Sequence, residues 1–202
     1  MKRVGCLTAL AALLLPGCGG SAHRGLGTVL AGPYPKVHFV SGGIRTLAEG
    51  RVIHGPAFAI KAERYRFEGK LATDLAAQME PHAKHGGAGG SFSPRSREPF
   101  EWTAELGCSK TATWSIVYGL LRDRGARGVL FNGSRRYRLR TVPIPASFHL
   151  SGRLGYAVLS RAPTRVLIHD RVGEVVQDEH LGPGSREHCI PGESSGLIVI
   201  GR

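Results

Sequence analysis

Short runs of alternating apolar and polar residues, broken by Gly, Pro or Asn-Gly about every 8–12 residues, dominate this 202-residue chain. Alternation with a period of two places one set of side chains on each face of an extended strand. Many such strands in succession predict a mainly β protein, an antiparallel β-sandwich (Ig-like or jelly-roll-like) or a barrel. No segment has the crossover-helix pattern that a parallel α/β sheet requires. A composition of 42% hydrophobic and 21% charged residues agrees with a folded body and excludes a disordered chain.

The expected elements follow from the pattern. Lys36–Ser41 and Phe58–Phe67 read as strands, and Leu71–Met79 has Leu71, Leu75 and Met79 at a spacing that favours helix. The stretch 86–99 is rich in Gly, Ser and Pro and reads as a loop. In Trp114–Leu120 the residues Trp114, Ile116, Tyr118 and Leu120 share one face of a strand. Asn132-Gly133 marks a hairpin within Val129–Leu139. A three-residue loop, Asn132 to Ser134, would oppose Val129 to Tyr137 and keep Phe131 and Leu139 on that face, so it is the expected register. Further strands are expected at Ser147–Leu150, Leu154–Ser160, Thr164–His169, Glu174–Gln177 and Leu197–Ile200, the last apolar on both faces.

Ahead of this body lies a different kind of segment. Lys2 and Arg3 precede an apolar run, Val4–Leu15, of 12 residues. A bilayer span needs roughly 20 apolar residues, so a positive start with a short apolar stretch reads as a secretory signal. The run ends in Leu15-Pro16-Gly17-Cys18, which resembles the lipobox of bacterial lipoproteins, with Leu three residues before Cys and Gly just before it. The resemblance implies that residues 1–17 are removed, that Cys18 is lipidated, and that 18–35 form a flexible tether to a single β-rich domain, 36–202. It also implies a location on the extracytoplasmic face of the cell membrane, held there by the lipid.

The cysteines are read in that light. Cys6 leaves with the leader and Cys18 carries lipid, so Cys108 and Cys189 remain. In an oxidising compartment they are expected to form a disulfide, worth at most about 4.5 kcal/mol in the chain-entropy model. In the cytoplasm they would be two buried thiols. Within Tyr118–Val176, the sequence "YGLLRD", a glycine-centred hairpin and the D-x-x-G-x-V-V turn of Asp170–Val176 loosely resemble a small β-domain of secreted proteins from high-GC bacteria, which implies fold alone.

The chain carries 27 Lys and Arg against 15 Asp and Glu, a net charge of +12 that becomes +10 once Lys2 and Arg3 are lost. Arg136, Arg138 and Arg140 alternate along one stretch, with Arg122, Arg124 and Arg127 nearby. They form either a solvated outer strand face or a cationic patch for phosphates of lipids or wall polymers. Nucleic acid is not an expected partner, because no stacking aromatics interleave with these arginines as such sites require.

Other polar groups support chemistry poorly. Gly192-Glu193-Ser194-Ser195-Gly196 fits a nucleophile elbow, but no acid or histidine follows it. His82 and His85 are two ligands where a zinc site needs three or four. Asp178-Glu179-His180 and Glu187-His188 read as surface turns. The expectation is therefore a lipid-anchored, non-enzymatic binding or structural module of the cell envelope, without cofactor. Its partners would be anionic lipid, wall polymer or another envelope protein. An envelope hydrolase or metal-dependent enzyme using His82, His85 or Ser194 is the alternative.

Overall fold

Strand β6, Thr113–Leu121, is buried along nearly its whole length, on both faces. A strand with two apolar faces must lie between two layers, and the rest of the molecule is built around that requirement. The computed structural model describes residues 38–52, 55–79, 87–92, 96–108 and 113–181. Among them are twelve strands in three four-stranded antiparallel sheets, a mainly β, sandwich-like architecture that is not a closed barrel.

The middle sheet joins β5 (Phe100–Cys108), β6, β10 (Arg153–Leu159) and β9 (Arg140–Pro143) in that order. Trp114, Ile116, Tyr118 and Leu120 share one face of β6, as their alternation predicts, and meet the first sheet. That sheet runs β1 (His38–Arg51), β2 (Ala57–Phe67), β3 (Lys70–Met79) and β4 (Gly87–Ser91). It contributes Phe58, Ile60, Ala62, Leu75 and Ala77 to a shared core. The opposite face of the middle sheet presents Phe100, Trp102, Val117 and Leu121 to a third sheet. This one is ordered β12 (Val175–His180), β11 (Arg165–His169), β7 (Arg127–Asn132) and β8 (Arg135–Arg138), and supplies Leu130, Val166 and Ile168. Two apolar cores thus share one central layer, and the third sheet extends the expected sandwich.

Several local expectations are corrected. Leu71–Met79 belongs to β3, a strand, not a helix; it pairs residue for residue with β2 through a two-residue turn. Glu68 and Gly69 sit at φ 48° and 77°, the double positive φ of a type I′ hairpin. The stretch 86–99 is not loop throughout, because Gly87–Ser91 adds β4 to the edge of β3 by backbone pairing. Ser147–Leu150 is not a strand; Ala146–Phe148 forms a 3-10 turn that buries Phe148.

The β7–β8 hairpin has a two-residue loop, Gly133-Ser134, so that Leu130 opposes Tyr137 and Val129 opposes Arg138. Leu130 is therefore the core residue, with Val129 and Phe131 turned outward and half-buried. Phe131 is covered instead by the guanidinium groups of Arg136 and Arg165, at 5.7 and 5.4 Å from its ring centre. After β8 the chain leaves the third sheet and enters the middle one as β9, crossing at Leu139. Gly128 makes room for this crossing, since a Cβ there would stand 2.1 Å from Leu139 Cδ1.

Candidate functional site

Strand register brings many segments to one end of the paired middle and third sheets. Arg153 of β10 lies opposite Leu121 of β6, His169 of β11 opposite Arg127 of β7, and Arg138 of β8 opposite Val129. The β6–β7 loop, the β11–β12 turn and the β8–β9 crossing therefore gather at that end. Between them is a cleft of about 740 Å³ lined by Arg124, Arg127, Arg138, Arg153, Arg171 and His169, among others.

Asp170 is the one carboxylate in the lining. Its Oδ1 accepts hydrogen bonds from the backbone N–H groups of Val172, Gly173 and Glu174, each at 2.9 Å. It is thus committed to shaping the turn that carries Arg171. Asp123 acts similarly in the β6–β7 loop, accepting from the Gly125 N–H at 2.8 Å. Arg122 is drawn away to Glu101, at 2.8 Å. Among the described residues the ion pairs join Arg122 to Glu101 and Asp178 to Arg165 and His180, and none includes an arginine of the cleft.

Five arginines thus line one cavity with one carboxylate, whose Oδ1 is engaged by the turn, and the Arg153 guanidinium donates to the carbonyls of Arg124 and Thr141, each at 3.5 Å. Arginine stays protonated at any physiological pH, so the crowding cannot be relieved by losing protons. Its relief is an anion, and the planar fork of each guanidinium matches phosphate or carboxylate oxygens in pairs.

A second cleft, of about 490 Å³, adjoins the first and includes Arg51, Arg138, Arg140 and Tyr137 in its lining, with Glu49. Arg138 lines both. The Tyr137 hydroxyl, 3.4 Å from Ser160 Oγ, is held below the ordinary tyrosine range mainly by that hydrogen bond, with Arg135 adding to the effect. A third basic hollow at the β7–β8 hairpin holds Arg135 and Arg161.

The row of Arg136, Arg138 and Arg140 expected from sequence is thereby divided. Arg136 packs on Phe131, Arg138 serves two clefts, and Arg140 belongs to a different sheet. Arg124 and Arg127 join the site as neighbours. Arg153, His169 and Arg171 come from distant segments, and no local pattern announced them. The D-x-x-G turn at Asp170, read from sequence for fold alone, carries Arg171 into the lining.

Asp178, Glu179 and His180 lie on strand β12 rather than in a surface turn. Arg165 binds Asp178 in two bonds of 2.7 Å, and Glu179 accepts from Trp102 Nε1 at 3.0 Å. Among the described residues no cluster of three His, Cys, Asp or Glu could hold a metal ion. His82, His85, Ser194, Glu187, His188, Cys18, Cys189 and the strand expected at Leu197–Ile200 all lie outside the described residues. Cys108 ends β5, but its pairing with Cys189 also lies outside them. Among the described residues no helix is long and apolar enough to cross a membrane. No protein-family model, curated protein or solved structure matches the chain.

Proposed function

We propose that this chain is a lipid-anchored, extracytoplasmic module that binds an anionic component of the cell envelope without transforming it. The observation that carries the reading is the cleft lined by five arginines and one carboxylate, Asp170, with none of the five in an ion pair among the described residues. Fixed like charges around a concave surface focus potential and raise the local concentration of anions. The lipobox-like Leu15–Cys18 supports the address, because lipid on Cys18 would hold a basic body on a short tether beside the anionic surface.

The test is binding of the leader-free protein to an anionic polymer over a range of salt. Affinity is expected to fall on the order of tenfold or more between 50 and 200 mM salt, as released counterions require. Affinity indifferent to salt, or absent at low salt, would contradict the reading. Intact mass spectrometry of the membrane fraction tests the address: the expected product begins at a diacylglycerol-bearing Cys18, and an unmodified full-length chain would refute it.

A further inference from the structure

We infer that the ligand is a linear polyanion, a chain bearing phosphate groups along its length, laid across both clefts over Arg138. The inference rests on the anion-binding reading above and specifies the class of anion. Its basis is the junction of the two cavities. Arg138 is the last residue of β8 and lines both, Arg140 is the first residue of β9 and lines only the second, and Leu139 between them makes the crossing from one sheet to the other.

An isolated phosphate in the first cleft could engage two or three of its five guanidinium groups and would leave the rest crowded. A chain of phosphates compensates them together and continues past Arg138 toward Arg140 and Arg51. Residues two apart in extended backbone have Cα atoms about 6–7 Å apart, a span that one polyanion covers, so a single chain can reach both arginines at the crossing. A flat membrane fits the arrangement less well. The arginines line concavities among strands and loops of the stacked sheets, where a chain can enter and a planar array of headgroups cannot.

The experiment compares three probes on the leader-free protein: tripolyphosphate, long-chain inorganic polyphosphate, and vesicles containing phosphatidylglycerol. Long polyphosphate is expected to bind at least about 100-fold more tightly per mole of phosphate than tripolyphosphate, since linking the second site makes its occupation intramolecular. Arg140→Ala is expected to weaken polyphosphate about fivefold or more and to leave tripolyphosphate unchanged. Arg127→Ala should weaken both, and Arg45→Ala, on the exposed edge of the first sheet, should weaken neither. Equal affinity per phosphate at both lengths, or an Arg140→Ala variant that binds polyphosphate like the parent, would overturn the inference while sparing the anion site. Vesicle binding that polyphosphate does not displace would overturn it in favour of the membrane. Failure of every probe at low salt would instead remove the anion-binding reading itself.

Discussion

At Phe100, the first residue of edge strand β5, one side chain takes the place of a strand neighbour. The amide of buried Gln177 on β12 accepts from the Phe100 N–H at 2.8 Å and donates to the Phe100 carbonyl at 3.0 Å. It thus copies a strand neighbour and joins the margins of the middle and third sheets. The same amide donates to Glu179 Oε1 at 2.8 Å, while Glu179 Oε2 holds the Trp102 indole. Gln177→Leu would fill the space but leave the Phe100 groups unsatisfied, and is expected to cost about 1–3 kcal/mol, read as a lower denaturant midpoint at unchanged m. An unaltered midpoint would show that water replaces the amide. A second residue, Glu63, has its carboxyl raised above the ordinary range, first by burial and further by Asp74, with Lys61 opposing. Asp74 faces it directly across the β2–β3 pair. With the folded value above the unfolded one, the native state binds the extra proton, so stability falls as pH rises from about 4.3 through the folded value. Glu63→Gln is therefore expected to melt higher than the parent at neutral pH. The gain should shrink as pH falls toward about 3, where the carboxyl is neutral in both folded and unfolded states.

At the element scale, what could be read from sequence depended on whether side chains or backbone carried the information. Strand β6 was legible because its alternation and its burial are the same fact. The β3 segment was ambiguous because a spacing of four satisfies one face of a strand as well as one face of a helix. Pairing with β2 decides it. Strand β4 left no trace, since glycines pair through backbone groups that every residue possesses. At Ser147–Leu150 the neighbouring Pro143 and Pro145 lack ladder donors, and a 3-10 turn takes the place of a strand. Alternation in Val129–Leu139 favours a register with Phe131 in the core, whereas arginines cover that ring on the outside. The site was half legible for a related reason. Arg124, Arg127 and Arg138 lie close in sequence, whereas Arg153 and Arg171 join them only through sheet order. Gly128 tests the geometry of the crossing. Gly128→Ala drives a methyl into Leu139 and is expected to cost about 1–3 kcal/mol, seen as a lower melting temperature. Leu139→Ala in the same chain should recover part of the loss.

For the molecule as a whole, the three-layer stack explains how a chain so basic holds together. Apolar residues of two cores are consumed by the layers, and the arginines are left to loops, strand ends and outward faces. Charge self-repulsion then concentrates at the end of the sandwich where Arg124, Arg127, Arg138, Arg153 and Arg171 meet. An anion seated there should stabilise the fold by mass action, at about 2.7 kcal/mol when its concentration is 100 times the dissociation constant. The direct measurement is the melting temperature of the protein in polyphosphate and in sodium chloride of equal ionic strength. The expected result is a rise of about 5–10 °C in polyphosphate, abolished when Arg127 and Arg171 are both changed to alanine. Identical melting in the two salts, or an equal rise in the double variant, would contradict the claim that this cleft is an anion site.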